Sequence, residues 1–522
     1  MATKQVPPPA GKRKDREKQF LPDLFRFHLH MKPVISRADT RAEYKRILGH
    51  LEFSSGRALL KFLGCLLAAS LIAFLPTYPE LSEGGRWTLA IILFCGMLWM
   101  TEAIPAFAVA LLGIGLQIMV LGAPGGVLFP ESETKAWERF VAPWASPSMW
   151  LFFGGFILAK ASARTGLDRD IAERLLLLGG TKPDRILLVA MGTTFVFSKF
   201  LSNTATAAMM IAILGPMLAN CGSSRACRAL IIGVAFSANL GGMGTIIGTP
   251  PNAIASGLLE QVRPVDFLTW MLFGLPPAVL LVSGLWLVLR RQVRSAVFSL
   301  TGVEEDKEVS SETPIHPNAD VLPRWQRWLV LIVFILTVAL WLSGSWHGLP
   351  TAVVSFVPIV ILSITGVIRG VDVRNLDWDI LILLAGGLSL GVGVSESGLA
   401  EWLAGRLGEL SIAPWAMAMV FGFLTLLLSN FMSNTAAANI LIPIGIAAGV
   451  ASGGSAEAAA FAIPMALSAS AAMCLPISTP PNAIAYASGR VQAKDFLLSG
   501  AVIGIIAVPL TTLWTRCLLG WL

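Results

Sequence analysis

Ser202-Asn203-Thr204, in FLSNTATAAMM, returns 231 residues later as Ser433-Asn434-Thr435, in FMSNTAAANIL. Three small polar side chains in apolar surroundings are costly unless they have partners, so their repetition points to a binding site. A second pair accompanies the first: Gly248-Thr249-Pro250-Pro251-Asn252 and Ser478-Thr479-Pro480-Pro481-Asn482. Proline has no amide hydrogen and disrupts a helix, so two adjacent prolines deep in apolar sequence predict a broken helix. Broken membrane helices expose amides and carbonyls, which is tolerable only around a cavity or a ligand. Helix N-termini there suit anions, while freed carbonyls with Ser, Thr and Asn oxygens are hard ligands suited to Na+. Ser198 and Ser202 are four apart, as are Ser429 and Ser433, which predicts each pair on one helix face. A single such triplet would favour close helix packing; its duplication beside a matched Pro-Pro-Asn favours binding. Lys199 would lie beside the first of these faces, either reaching water past the helix end or holding its ammonium near the cation site. Glu102 is a lone intramembrane carboxylate, expected to cap the helix after it rather than relay protons.

The elements that must position these residues are apolar and long. Of 522 residues, 55% are hydrophobic and 14% charged, too apolar for an ordinary soluble protein. Charge-free runs such as Phe62 to Pro79, Ala103 to Pro130, Ala229 to Leu259, Trp328 to Ile368 and Phe496 to Thr515 reach or exceed the ~20 residues of a membrane crossing. The net charge of +7 lies wholly in residues 1 to 57, where thirteen Lys/Arg face six Asp/Glu. That basic head before the first apolar run predicts a cytoplasmic N-terminus and argues against a nucleic-acid surface. It carries no cleavable signal pattern. The six cysteines include no C-x-x-C pair and the five histidines are scattered, so packing roles are expected and no disulfide or metal framework.

The landmarks recur in order. Gly154-Gly155 matches Gly386-Gly387 and Gly166 matches Gly398, both at an offset of 232; Gly248 to Ser478 is 230 and Asp266 to Asp495 is 229. Two homologous halves follow, 86 to 290 and 326 to 522, with 57 to 79 as an additional first helix and 1 to 56 as a basic cytoplasmic segment. Residues 291 to 325, rich in charge and proline and flanked by arginines, read as a cytoplasmic linker. An odd number of crossings per half would make the repeats inverted. The paired glycines fit hairpin packing as well as ligand contact.

On these motifs the chain, from about residue 57 to its end, resembles the divalent anion/sodium symporters, a family that includes sodium-coupled dicarboxylate and citrate carriers. The resemblance implies an all-α polytopic fold with broken helices, re-entrant hairpins near 150 to 180 and 380 to 410, and a homodimer working as an elevator. It implies one sodium site from Ser198, Ser202, Asn203 and Gly248 and another from Ser429, Ser433, Asn434 and Ser478. Substrate carboxylates would meet Asn203, Thr204, Thr249 and Pro250 on one side and Asn434, Thr435, Thr479 and Pro480 on the other. Threonine at both motif ends favours dicarboxylates over sulfate by the same resemblance. Lys199 departs from it, because an uncharged residue is expected there. The absence of any N-x-S/T sequon favours a prokaryotic source, hence a bacterial inner membrane. The expected activity is sodium-coupled secondary transport of C4-dicarboxylates such as succinate, malate or fumarate. Its rivals are a sodium-independent exchanger, a citrate or other divalent anion carrier, and an anion channel. No catalytic triad, nucleotide loop or cofactor motif points to an enzyme or an ATP-driven pump.

Overall fold

The computed structural model describes residues 56–75, 78, 80–219, 223–294, 323–409 and 412–521, so the basic head and most of the 291–325 linker lie outside the described residues. The compact unit is Leu59–Leu522; of the segment before it, only the first residues of a helix are described. Secondary structure among the described residues is entirely helical.

Helix α1, Gly56–Ala73, stands first and ends before residue 79. Among the described residues, nine α-helices of eight or more residues follow: α2 Glu83–Thr101, α3 Ala106–Leu116, α4 Pro147–Thr165, α5 Leu167–Leu177, α6 Pro183–Phe197, α7 Asn203–Ile213, α8 Ser224–Gly242, α9 Pro250–Leu259 and α10 Phe267–Val293. The same order then returns: α11 Arg324–Leu342, α12 Phe356–Ile364, α13 Trp378–Glu396, α14 Leu399–Gly408, α15 Pro414–Phe431, α16 Asn434–Gly453, α17 Ser455–Ser470, α18 Pro480–Ala487 and α19 Ala493–Leu519. Among the described residues, nine helical spans are long and apolar enough to cross a membrane: α1, α2, Glu138–Thr165, α10, α11, α13, α15, α16 and α19. The molecule is an integral multi-pass membrane protein. At 10 and 8 residues, α9 and α18 are too short to cross, since each residue adds ~1.5 Å.

Local chemistry explains the ends. In α9 and α18 both prolines occupy the first helical turn, where their missing amide hydrogens cost nothing, and extended Thr249 and Thr479 precede them as N-caps. Ser202 and Ser433 are the N-caps of α7 and α16. The hairpins α4/α5 and α13/α14 both turn at a left-handed glycine, Gly166 at φ 67° and Gly398 at φ 75°, where a side chain would be strained. Glu102 sits at the C-cap of α2 with φ 49°, exposed, and α3 begins at the N-cap Pro105, so the carboxylate does not cap the following helix as expected.

Helices cross between the two series. α7 packs on α18, and α9 packs on α16 and α17. Hairpin helix α4 packs on α12, whereas α13 packs on α3. The doubled glycines belong to these contacts. A Cβ at Gly154 would stand 2.7 Å from Ser355 Cβ, and one at Gly386 would stand 2.6 Å from Ala110 Cβ. Close helix approach therefore accounts for them.

Candidate cation and anion site

The four motifs become four helix N-termini, those of α7, α9, α16 and α18. Each presents the positive end of a helix dipole, and those of α7 and α16, which do not start on proline, also present unpaired amides. The chain breaks between Ser198 and Ser202, because Ser198 is the C-cap of α6 and Ser202 the N-cap of α7. Ser429 lies in the last turn of α15 and Ser433 caps α16. Neither serine pair shares a single helix face, contrary to the spacing argument, since the motif itself ends one helix and starts the next. Lys199 is likewise off the helix, in the turn after α6.

In the first half, the structure gathers Ser198, Asn203 and Gly248. Buried Ser198 Oγ donates to Ala238 O at 2.6 Å and contacts Asn203 Oδ1. As placed, the Asn203 oxygen faces acceptors; turned over, its amide nitrogen donates to Ala238 O at 3.2 Å and Gly248 O at 3.3 Å. A hydroxyl, an amide and two carbonyls thus crowd one spot, an arrangement that a hydrogen-bonded amide or a cation satisfies. Gly242 permits this approach, for a Cβ there would lie 2.8 Å from the Asn203 amide and 2.9 Å from Gly248 O. Ser202, Thr204 and Pro250 are half-buried nearby in sequence without a described side-chain hydrogen bond to this cluster; Thr249 is buried and makes no side-chain cap bond.

In the second half, the matching atoms are left without partners. Ser429 Oγ and Asn434 Oδ1 are buried and make no hydrogen bond. Orphan buried oxygens cost about 1–3 kcal/mol each and call for a partner. Other buried hydroxyls in the molecule are also unpaired, but these two fall on the motif positions that are engaged in the first half. They fit a cation by donor type. Ser433 Oγ is taken up in capping Ala436 N at 3.2 Å. Ser478 Oγ donates toward Asn430 O and Oδ1, at 3.2 and 3.1 Å, leaving its carbonyl as the free ligand atom. Thr435 is half-buried and Pro480 exposed. Thr479 Oγ1 accepts from Asn482 N at 3.3 Å and from Asn239 Nδ2 at 3.0 Å.

Several residues without an assigned role hold the breaks open. Asn252 Nδ2 donates to Gly242 O, Met243 O and Thr245 O at 3.0, 3.4 and 2.7 Å. Asn482 Nδ2 does the same for Met473 O and Leu475 O, each at 3.0 Å. The carbonyl partners Met243 and Met473, and Thr245 and Leu475, are again 230 apart. Both asparagines lie inside the repeated motif, and their identical place in it was the available signal. Asn430 Oδ1 accepts from Cys474 N at 2.8 Å and matches Lys199 at the motif offset. In place of that bond, Lys199 sets its Nζ over the Phe195 ring, 4.2 Å from the centroid, while its carbonyl accepts from Thr245 Oγ1.

Residues 57–521 match the model of the sodium:sulfate symporter transmembrane region. The protein called sodium-dependent dicarboxylate transporter SdcS of Staphylococcus saprophyticus is 30% identical over 496 residues, 88% of this chain and 91% of that one. Its namesake from Staphylococcus aureus strain bovine RF122 is 31% identical over 490 residues, 87% of this chain and 90% of that one. A solved transporter, Neisseria gonorrhoeae MtrF, matches more distantly, at 13% identity and TM-score 0.49 over 86% of this chain and 97% of that one. The motifs, the all-helical membrane fold and the full-length match agree: the chain belongs to the sodium:sulfate symporter family, also called the divalent anion/sodium symporters, and is a transporter rather than an enzyme.

Proposed function

We propose that the protein is a secondary active transporter that carries C4-dicarboxylates, such as succinate, malate or fumarate, coupled to Na+. The observation that carries this reading is the pair of oxygen clusters at the Ser-Asn-Thr motifs, one internally hydrogen-bonded and one holding the orphans Ser429 Oγ and Asn434 Oδ1. The relatives' names point the same way. Ser198, Asn203 and the Gly248 carbonyl would hold one cation, with Ser202 completing the set; Ser429, Asn434 and the Ser478 carbonyl would hold another, with Ser433. Bound Na+ would supply positive charge beside a dianion. The chain's own contribution to that dianion is four helix N-termini carrying Asn203, Thr204, Thr249 and Pro250 on one side and Asn434, Thr435, Thr479 and Pro480 on the other. Neither motif contains an arginine.

In this reading 86–290 and 326–522 are inverted repeats, joined by a cytoplasmic linker at 291–325 and preceded by the helix within 57–79 and a cytoplasmic head. The crossed packing of α7 on α18 and α9 on α16 supports it, because exchanging the halves maps one contact onto the other. A homodimer in a bacterial inner membrane, moving its hairpins and broken helices as an elevator, completes the proposal. The test is uptake of labelled succinate into proteoliposomes with and without an inward sodium gradient; gradient-independent uptake sinks the coupling. A second reading, sodium-independent exchange, is favoured by one observation: half-buried Lys199 adjoins Ser198 and has no carboxylate partner among the described residues. Uptake that needs internal succinate and ignores sodium would select it.

A further inference from the structure

Each half carries the same Thr-Pro-Pro-Asn turn, yet the two turns are held differently. Thr479 Oγ1 receives two N–H donors, Asn239 Nδ2 at 3.0 Å and Asn482 N at 3.3 Å. Asn239 Nδ2 also bonds Asn482 Oδ1 at 3.2 Å, so a side chain of α8 in the first half grips the turn of the second. The residue matching Asn239 is Ala469 at the 230 offset of Thr-Pro-Pro-Asn and Ser470 at the 231 offset of Ser-Asn-Thr; Ala469 has no side-chain donor and the Ser470 hydroxyl is spent on Ala466 O at 3.2 Å. In the first half Asn252 Oδ1 has no partner, and Thr249 makes no side-chain cap bond, Asn252 N bonding the Thr249 carbonyl instead. All of these residues are buried.

A threonine hydroxyl has two lone pairs and one proton. With both lone pairs engaged by N–H groups, the proton is the only valence Thr479 has left. We infer that Asn239 is a positioning residue that makes the Thr479 hydroxyl an obligate hydrogen-bond donor, matched to an ionised substrate carboxylate, which only accepts. Thr249 keeps a free choice of donating or accepting. The two ends of the site are therefore chemically unequal: the second-half end demands a carboxylate, and the first-half end tolerates other polar groups. Asn239 also follows Ala238, whose carbonyl accepts from Ser198 Oγ, so one turn of α8 touches both the first cation cluster and the second substrate turn. This inference rests on the dicarboxylate reading of the site.

The test is a double-mutant cycle on labelled succinate uptake into proteoliposomes at saturating sodium, with equal amounts of folded protein. Asn239→Leu and Thr479→Val are each expected to raise KM about tenfold, the loss of one hydrogen bond to a charged group. The double variant is expected to be no worse than Thr479→Val alone, because Asn239 acts through that hydroxyl. Additive effects would mean that Asn239 supports the fold and nothing more, overturning the inference. So would a normal KM for Asn239→Leu beside a raised one for Thr479→Val. A normal KM for Thr479→Val would instead remove Thr479 from the site, and the inference with it. Should Asn239→Leu not fold, Asn239→Ser, whose hydroxyl is too short to reach Thr479, has to raise KM in the same direction; a wild-type value there also overturns the proposal.

Discussion

At the scale of single residues, the asparagines do three separate jobs. Asn203 and Asn434 offer oxygens to the candidate cation clusters, Asn252 and Asn482 clamp break carbonyls, and Asn239 and Asn430 brace the second half. If the two clusters form one functional unit, Asn203→Ala and Asn434→Ala are each expected to abolish succinate uptake while leaving folded protein in the membrane; normal uptake by either variant breaks the pairing. The clamps behave differently. Asn252→Ala strands up to three buried carbonyls at about 1–3 kcal/mol of lost stability, and Asn252→Asp is expected to do no better, since an acceptor cannot replace the donated N–H groups. Thermal unfolding of purified protein decides it: an Asp variant as stable as wild type would refute the clamp. Lys199 is the remaining single-residue question. Removing its ammonium, as Lys199→Met, is expected to steepen the sodium response of uptake, because a fixed positive charge beside a cation site repels Na+. An unchanged curve with unchanged transport would leave the exchanger reading without support.

At the scale of elements, the hairpins are fixed to the opposite half by apolar contact and by charge. Arg164, at the end of α4, pairs with Asp372, and Glu396, at the end of α13, pairs with Arg139 at 2.9 Å. Arg164 and Glu396 are themselves 232 apart, so the two hairpin tips make matching clamps of reversed sign. The first is mostly buried, its side chains 15% and 13% exposed, against 44% and 36% for the second. Arg164→Met is therefore expected to cost about 3 kcal/mol, by removing the guanidinium from a largely buried carboxylate that keeps the Arg369 N–H. Arg139→Met is expected to cost no more than about 1 kcal/mol. Equal shifts in unfolding temperature would contradict the difference in burial. Glycine gives a parallel contrast. Gly154→Val and Gly386→Val drive a side chain into Ser355 and Ala110 and are expected to destabilise by about 1–3 kcal/mol, whereas Gly64, with open space around its Cβ position, is expected to accept alanine without loss.

At the scale of the whole molecule, crossed packing makes the site a joint product of the two halves. No half closes it alone, since α7 meets α18 and α9 meets α16. In the proposed site the field on a bound dianion would come from helix ends, with cations beside them, and helix ends alone offer roughly half a charge each. Succinate affinity is therefore expected to fall when sodium is replaced by choline, in equilibrium binding as well as in transport; an unchanged affinity would separate anion binding from the cation clusters.

What the sequence determined by itself was whatever depends on short stretches of chain. Apolar run length predicted crossings such as α1, α11 and α19 but overshot at 103 to 130 and 229 to 259, which the chain breaks into helices that are not among the nine spans; Pro-Pro placed the breaks at α9 and α18, and the repeated Ser-Asn-Thr marked the helix starts of α7 and α16, because capping and proline geometry act within one turn. Those motifs also carried the family. Spacing failed where the chain changed direction: Ser198 and Ser202, four apart, sit on opposite sides of a break, since a residue count measures helix faces only along an unbroken helix. Only the tertiary structure decided which half meets which, that Gly154 and Gly386 serve packing, and that Thr479 is held while Thr249 is free. The contact that holds Thr479 joins residues 240 apart, Asn239 and Thr479. Nothing local to either residue encodes that bond; it exists because α8 and α18 are packed side by side.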